Sequence, residues 1–256
     1  DEAQAIPTEY LEPCLAALRE LVVNYNCSIV LCTATQQALD YKKKLKTALP
    51  EIEEIMADPA NLFAVLQRTQ VEFVGTLNDE ELAKRIDSEN QVLCIVSTKK
   101  QARALFEQLG TGGNDSIFHL STNMYPEHRR KTLKNIRDRL QEGIGCRVIS
   151  TSLVEAGVDL DFPVVYRAMA GLDSIAQAAG RCNREGRMNE QGELGKVYGF
   201  ESEQPPRMPW MKRCASRAGE VLRRFPDTDP IGPESMRRYF ELHYDAEDLD
   251  KKQILI

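Results

Sequence analysis

The sequence lacks several features that would each point to a particular class of protein. No apolar run reaches the eighteen or so residues that a membrane-spanning helix needs, which argues against a transmembrane protein. The 7 cysteines include no CxxC pair, so a structural zinc site is not expected. The pattern GxxxxGK[ST] of phosphate-binding loops is also absent, because the glycine-rich stretch at residues 110–113 has no lysine.

Acidic residues outnumber basic ones, and the net charge of -6 by itself disfavours a polyanionic partner. Charge is unevenly distributed, however, with basic stretches at residues 128–131, 181–187 and 207–224. Each stretch taken singly is best interpreted as a solvated helix face. Cys32, Cys94 and Cys146 lie in apolar runs, which suits reduced thiols and a cytoplasmic location. The chain starts at Asp1 without a leader sequence, and we interpret it as a piece of a longer polypeptide.

Short apolar runs alternate with segments of helical periodicity, and this alternation indicates the fold class. The predicted buried strands are residues 28–32, 92–97, 116–120, 146–150, 163–166 and 196–200. Alternating strands and helices predict an α/β fold with a mainly parallel sheet and helices on both faces. Ligands of such sheets bind beyond the carboxyl ends of the strands.

The chain opens on an acidic pair, Asp1 and Glu2, which is a weak signal by itself. The pair is compatible with an acidic helix N-terminus. In a nucleotide site, Asp1 would instead hold Mg²⁺ and Glu2 would orient the attacking water. Thr33 and Thr35 follow the predicted strand at residues 28–32 and are placed either to cap a helix or to hydrogen-bond the acidic pair.

Residues 150–159 combine hydroxyl side chains at a strand end with a glycine and an aspartate. Hydroxyls and free backbone N–H groups at such a corner are good phosphate ligands. Gly157 would permit close approach of the backbone, and Asp159 would accept from a ribose hydroxyl or position an arginine. The structural alternative is a tight connection in which Asp159 caps a helix.

A second motif places two arginines after a predicted helix start. Asp173 is predicted to be the N-cap, and Arg181 and Arg184 are then expected on one helical face, one turn after Gln177. Two fixed guanidinium groups are suited to binding a γ-phosphate. The structural alternative is a basic helix whose arginines pair with surface carboxylates. Gly180 favours the first interpretation, because a mid-helix glycine costs about 1 kcal/mol and usually indicates close approach.

Taken in order, these segments resemble motifs II to VI of superfamily-two helicases. The sequences of the later motifs are most similar to the helicase part of the type I CRISPR-associated helicase-nuclease family. The segments that carry the resemblance are DEAQ (1–4), CTAT (32–35), VLCIVSTKKQA (92–102), ISTSLVEAGVDLDF (149–162) and DSIAQAAGRCNREGR (173–187).

The resemblance implies a domain organisation and a role for each matching residue. Residues 1–68 would be the end of a first RecA-like lobe, residues 69–203 a complete second lobe, and residues 204–256 a helical linker. By motif, Asp1 and Glu2 would serve Mg²⁺ and water, with Gln4 as neighbour, and Thr33 and Thr35 would couple the lobes. Thr98, Ser121 and Thr151 would lie near the DNA backbone, and Gly157, Asp159, Gln177, Arg181 and Arg184 would approach ATP. One departure is Ala178, where such helicases usually have arginine.

The function implied by the resemblance is ATP- and Mg²⁺-dependent translocation on single-stranded DNA, which feeds target DNA for degradation. An RNA-guided CRISPR surveillance complex would be the partner. The nuclease domain and the phosphate-binding loop would lie outside this chain, so the isolated chain is expected to have no ATPase activity. Two alternatives remain open: an RNA helicase or restriction-type translocase with the same motor, and a non-catalytic docking module derived from one.

Overall fold

A computed structural model describes residues 3–33, 35–41, 43–49, 52–110, 115–154 and 158–255. The chain divides into two compact units: Gln67–Ser216, and Asp1–Leu66 together with Arg217–Ile256. Its helices are α1 Leu11–Tyr25, α2 Pro59–Val65, α3 Asp79–Ser88, α4 Lys99–Gly110, α5 Pro126–Gln141, α6 Leu172–Ala179, α7 Pro209–Arg224 and α8 Pro233–Ala246. Among the described residues, none of the helices is both long and apolar enough to cross a membrane.

The Gln67–Ser216 unit is built on a six-stranded sheet in which every pairing is parallel. Its strands are β1 Thr69–Leu77, β2 Gln91–Ile95, β3 Ile117–Leu120, β4 Cys146–Ser150, β5 Val164–Ala168 and β6 Gly195–Ser202. Their order across the sheet is β1-β6-β5-β2-β4-β3. The predicted α/β fold with a parallel sheet is therefore confirmed, and the five strands predicted between residues 92 and 200 are all present.

Helices cover both faces of this sheet. Side chains of α3 and α4, such as Ile86 and Leu105, form one buried cluster with Cys94 and Tyr166 of the sheet. The alternating position Leu93 is equally buried but lies outside that cluster, so it faces the opposite side. Right-handed crossovers place α5 and α6 on that second face, because β3 to β4 and β5 to β6 cross the sheet in the direction opposite to β2 to β3.

Local sequence signals explain where two of these helices begin. Asn78 caps α3, with its side chain accepting from the Glu81 N–H while the Glu81 carboxylate accepts from the Asn78 N–H. Pro126 stands in the first turn of α5, where its missing N–H costs no helical hydrogen bond. The helix starts are thus largely determined by the local sequence.

Two strand assignments differ from the sequence prediction. The segment at residues 28–32 is not a strand, and Val30 is 68% exposed. A buried strand needs a hydrogen-bonded neighbour, and the described part of the Asp1–Leu66 and Arg217–Ile256 unit contains no strand with which it could pair. Conversely, β1 was not predicted, although it pairs in parallel with β6 at the edge of the sheet.

In the described part of the second unit, Asp1–Leu66 with Arg217–Ile256, the regular elements are helices, and the described residues between α1 and α2 are irregular. Leu11 and Leu15 of α1 are buried there, whereas Leu21 near the end of the same helix is 42% exposed. Glu12, next to Leu11, is also buried, and its carboxylate accepts from the Thr47 N–H at 3.0 Å. The carboxylate is therefore satisfied by the backbone rather than left as an unpaired buried charge.

Candidate functional site

Three hydroxyl residues predicted to bind a nucleic-acid backbone lie at one edge of the sheet. Thr98 follows β2, Ser121 directly follows β3 and Thr151 directly follows β4. These strands are adjacent and parallel, in the order β2-β4-β3, so their carboxyl ends meet at the same edge. Thr98 and Thr151 are half-buried, whereas Ser121 is only 2% exposed. The tertiary structure thus brings together residues that are far apart in sequence.

This edge is also a topological switch point. The connection after β2 runs over one face of the sheet through α4, whereas the connection after its neighbour β5 runs over the other face through α6. In open α/β sheets, ligands bind in the crevice that such diverging connections leave beyond the carboxyl ends. The location of the hydroxyl residues beside β2 therefore agrees with the general ligand site of this fold class.

Thr98 is held by its role as the cap of α4. Its Oγ1 accepts from the Gln101 N–H at 3.1 Å, and that bond leaves the hydroxyl hydrogen available for another acceptor. The Gln101 side chain does not return to Thr98 but donates from Nε2 to Asp79 Oδ1 and Ser202 Oγ, both at 2.8 Å. Gln101 is 1% exposed, so a buried network fixes the start of α4.

Ser150 and Thr151 differ in what their side chains do. The Ser150 hydroxyl is fully buried, lies 3.1 Å from the Leu120 carbonyl and 2.9 Å from the Thr151 carbonyl, and so ties the ends of β3 and β4 together. Thr151 is half-buried at the same corner. Of the two neighbouring hydroxyls, Ser150 is hydrogen-bonded within the sheet, whereas Thr151 stays partly exposed.

The two arginines of the last motif do not share a helical face, and that prediction is wrong. α6 ends at Ala179 with Gly180 as its C-cap, and Asn183 adopts a left-handed conformation with φ 45°. Gly180 is therefore a helix terminator and not a mid-helix residue. The chain then turns, and residues 162 and 182 pair as an isolated parallel bridge just before β5. The arginines accordingly lie near the start of β5, away from the carboxyl edge.

The predicted N-cap of α6 is also wrong. Gly171 occupies the N-cap position and makes no side-chain cap, while Asp173 lies in the first turn. An aspartate one turn into the helix still opposes the positive end of the helix dipole. The preference of aspartate for helix starts was thus correctly recognised, but the boundary was displaced by two residues.

Arg181 and Arg184 have different surroundings. Arg181 is 9% exposed, and its Nε donates to the Val154 carbonyl at 2.9 Å. The Arg184 side chain is 45% exposed, and its Nε lies 2.8 Å from Asp159 Oδ1. Asp159 was predicted to accept from a ribose hydroxyl, to position an arginine or to cap a helix, and in the structure it pairs with an arginine. Arg181 anchors the β4–β5 connection, and Arg184 presents its guanidinium to solvent.

Three residues that the sequence prediction missed hold the loop of Arg184. Asp161 accepts from the Arg184 N–H at 2.6 Å and from the Glu185 N–H at 3.4 Å. Asn183 Nδ2 donates to the Arg68 carbonyl at 2.9 Å, and the Arg68 guanidinium donates to the Arg184 carbonyl. Two sequence features could have indicated these roles. Asp161 is the second acidic residue of the segment 159–161, and Asn183 is of a residue type that tolerates the left-handed region of backbone conformation.

The other predicted nucleotide residues of this unit lie on or near α6. Gln177 is half-buried on the helix, whereas Ala178 is fully buried. The position at which related helicases usually have arginine therefore faces the packed side of α6 in this chain. Gly157 lies outside the described residues, so its close approach to a ligand stays a prediction.

In the other unit, the early motifs are also in contact with one another. Asp1 and Glu2, and with them the predicted Mg²⁺ ligand, lie outside the described residues. The Thr33 hydroxyl donates to Gln4 Oε1 and lies 2.9 Å from the Thr35 carbonyl. The Ala3 N–H donates to the Cys32 carbonyl at 3.2 Å. Hydrogen bonds therefore join Ala3 and Gln4 to Cys32 and Thr33, and Thr33 to Thr35.

The buried thiols of the sheet are structural. Burial raises the pKa of Cys146 to about 12 and also raises the pKa of Cys94 and of Cys182. A thiol held protonated is neither a nucleophile nor a metal ligand at neutral pH. Cys32 differs from the prediction, because it is exposed on an irregular segment instead of buried in a strand.

Comparisons with known proteins agree on one family. Residues 88–187 match the family described as CRISPR-associated nuclease/helicase Cas3, C-terminal. The Cas3 nuclease/helicase of Haloferax volcanii is 28% identical over 190 residues, which cover 66% of this chain and 20% of that protein. The Cas3 nuclease/helicase of Methanothermobacter thermautotrophicus is 24% identical over 238 residues, which cover 88% of this chain and 28% of that protein. The chain spans well under half the length of either relative.

Solved structures share the fold. The crystal structure of T. fusca Cas3 superimposes with a TM-score of 0.57 at 18% identity, covering 80% of this chain and 26% of that chain. The T. fusca Cas3-ATP structure gives 0.56 at 19% identity, with 72% and 24% covered. A chain of a CRISPR RNA-guided surveillance complex, pre-nicking, gives 0.54 at 19% identity, with 73% and 26% covered. By the family match and the two curated relatives, this chain is similar to part of the Cas3-type nuclease/helicases, and the solved structures show that it shares the fold of their helicase region.

Proposed function

We propose that the chain forms part of an ATP-driven motor that moves along single-stranded DNA and feeds target DNA for degradation in CRISPR interference. The observation that carries the proposal is the convergence of Thr98, Ser121 and Thr151 at the carboxyl ends of three neighbouring strands. The half-buried hydroxyls of Thr98 and Thr151 suit phosphates of a DNA strand, which they would position without reading its sequence, and Ser121, which is 2% exposed, would support the same edge from within. The residues 1–68, 69–203 and 204–256 would correspond to the end of the first lobe, the second lobe and the linker.

The arginines support a separate nucleotide-facing surface. The Arg184 side chain is 45% exposed and pairs with the exposed Asp159, so its guanidinium would be accessible to a γ-phosphate. Asp161 fixes the backbone of the same loop, which limits the reorganisation needed when charge develops on the transferred phosphoryl group. ATP with Mg²⁺ would supply the scissile phosphoanhydride, and Gln177 and Gly157 would lie against the nucleotide.

In this mechanism, Arg181 and Arg184 have distinct roles. Arg184 would contact the γ-phosphate, whereas buried Arg181 would hold the β4–β5 connection through the Val154 carbonyl. Asp1 and Glu2 would serve Mg²⁺ and the attacking water, with Gln4 beside them. Thr33 and Thr35 would relay phosphate occupancy between the lobes, and the hydrogen bond from Thr33 to Gln4 supports this assignment. The partner would be an RNA-guided surveillance complex, as in the solved assembly that contains a similar chain.

The nucleotide proposal is tested by phosphate release from the parent protein, meaning the polypeptide that carries this chain together with a phosphate-binding loop. Arg184→Ala is expected to lower DNA-stimulated turnover by about 10³-fold while ATP binding persists, because the arginine acts on charge that develops in the transition state. Arg187→Ala is the matched control, since Arg187 lies in the same loop but pairs with Glu185 at the surface. Near-normal turnover of Arg184→Ala would instead support a docking module or a purely structural arginine.

The DNA proposal is tested by a salt titration of binding to a labelled single strand. Thr151→Ala is expected to weaken binding without changing the salt slope, because a hydroxyl displaces no counterion. Ser152→Ala is the control, since Ser152 is the exposed neighbour of Thr151. With about two or three cationic contacts at about 0.7 each, the slope of log K against log salt should lie near -2. A preference for RNA over DNA would favour the RNA-helicase alternative.

A further inference from the structure

A basic and aromatic segment precedes and begins α7. It comprises residues 207–213 and contains Arg207, Lys212, Arg213 and Trp210. No acidic residue occurs between positions 204 and 219, although the chain as a whole has a net charge of -6. The first turn of α7 carries no acidic side chain either, so the positive end of this helix is not neutralised locally. We refer to residues 207–213 as the α7 segment.

The apolar side chains of the α7 segment face solvent. Met208 is 56% exposed and Trp210, the chain's single tryptophan, is 55% exposed. The buried positions of α7, such as Ala218 and Val221, lie further along the helix. Trp210 lies about three turns before Val221 and therefore on the same helical face, but at the start of the helix that face is exposed. Arg207 and Lys212 on either side are exposed. A large aromatic ring between exposed cations is the combination that binds single-stranded nucleic acids.

Hydrogen bonds hold the chain just before the α7 segment near Thr98. Gln204 Nε2 donates to Asp79 Oδ2 at 2.8 Å, and Asp79 Oδ1 in turn accepts from Gln101 at 2.8 Å. Gln101 is the residue whose N–H is capped by Thr98. Trp210 is six residues beyond Gln204, so it lies within about 20 Å of this network even when the chain between them is fully extended. The α7 segment therefore follows a stretch of chain that is tied to the same network as Thr98.

We propose that the α7 segment binds single-stranded DNA, with Trp210 stacking on a base and Arg207 and Lys212 contacting phosphates. The inference rests on the proposed DNA-binding function and extends its site beyond the hydroxyl edge to a part of the chain that carries no helicase motif. Because every base has a π-face, the contact tolerates any sequence, as a translocating protein requires. The stacked base would act as a holding point between steps.

Trp210 is its own reporter, since the chain contains no other tryptophan. Titrating the 256-residue chain with a thymidine oligonucleotide is expected to quench its fluorescence. An abasic oligonucleotide with the same number of phosphates should leave the fluorescence nearly unchanged. By anisotropy of a labelled oligonucleotide, Trp210→Ala should weaken binding by about 5- to 100-fold, and Trp210→Phe should restore part of the loss. Tyr25→Ala, at another exposed aromatic (68%), should bind as the parent chain does.

The outcomes separate this proposal from the motor itself. If both Trp210 variants bind DNA as tightly as the parent chain while Thr151→Ala still weakens binding, the proposed role of the α7 segment is wrong. The proposed contacts of Thr98 and Thr151 with DNA are then unaffected. Equal quenching by the abasic oligonucleotide, or by vesicles of an anionic phospholipid, would overturn base stacking in favour of a general polyanion or membrane surface. A further variant keeps Trp210 but carries Arg207→Glu and Lys212→Glu. If DNA no longer quenches its fluorescence while its circular dichroism spectrum is unchanged, the two cations contact phosphates as proposed.

Discussion

Gly195 offers a quantitative test of how the arginine loop is supported. A Cβ added at this position would lie 2.6 Å from Cys182 Sγ and 2.8 Å from Asn183 Cβ, distances that real Cβ atoms essentially never show. The backbone of Gly195 does not have a positive φ, so Gly195→Ala introduces a steric clash without backbone strain. Either β6 or the loop that carries Arg184 must then move.

The expected cost is that of overpacking, about 1–3 kcal/mol. Because 1 kcal/mol shifts the Tm of a chain of this size by about 2–4 °C, Gly195→Ala should unfold about 2 to 12 °C below the parent chain. Adding Cys182→Ala removes the closest atom and should return part of that loss, as contacting residues are not additive. The assay is thermal unfolding followed by circular dichroism.

Gly110→Ala is the matched control, because a Cβ at this helical position meets nothing within 4 Å. It should keep the Tm or raise it, since alanine is favoured over glycine in a helix by up to about 1 kcal/mol. A parent-like Tm for Gly195→Ala, or a double variant no more stable than the single one, would refute the close packing of Gly195 against the arginine loop.

Three further predictions follow from buried groups. Cys27 is exposed and should be alkylated in the native chain, whereas Cys94, whose pKa burial raises, should react only on unfolding, as read by mass spectrometry. Burial, reinforced by the charge of Arg103, lowers the pKa of His119 below 6.5. The neutral His119 therefore contributes stability above pH 6.5, and this contribution is lost as the pH falls below 6.5. The denaturant midpoint of unfolding should decrease in acid, and His119→Gln should make that decrease smaller. Ala178→Arg should cost more than about 3 kcal/mol in denaturant unfolding, because it places a charge at a fully buried position.

Much of the architecture was predictable from the sequence by itself. The runs at β2 to β6 are apolar because strands of a parallel sheet are covered on both faces, and that composition shows without any tertiary information. The hydroxyl residues Thr98, Ser121 and Thr151 were expected near DNA from the resemblance to helicase motifs, and in the structure each follows such a run. The resemblance to a family was recognised from the sequences and the order of the motifs. The same resemblance supplied the expected roles of residues that lie outside the described part of the chain.

Only the tertiary structure decided how the candidate site residues are held. A strand is stable only with a neighbour, so the apolar segment at residues 28–32 has no strand conformation where the described unit provides none. The arginine motif has helical spacing in sequence, but the backbone turns at Gly180 and Asn183, and packing of this turn against Gly195 puts Arg181 inside and Arg184 outside. Asp161 and Asn183 gain their roles from partners that the fold supplies, because hydrogen bonds between distant segments leave no periodic trace in the sequence.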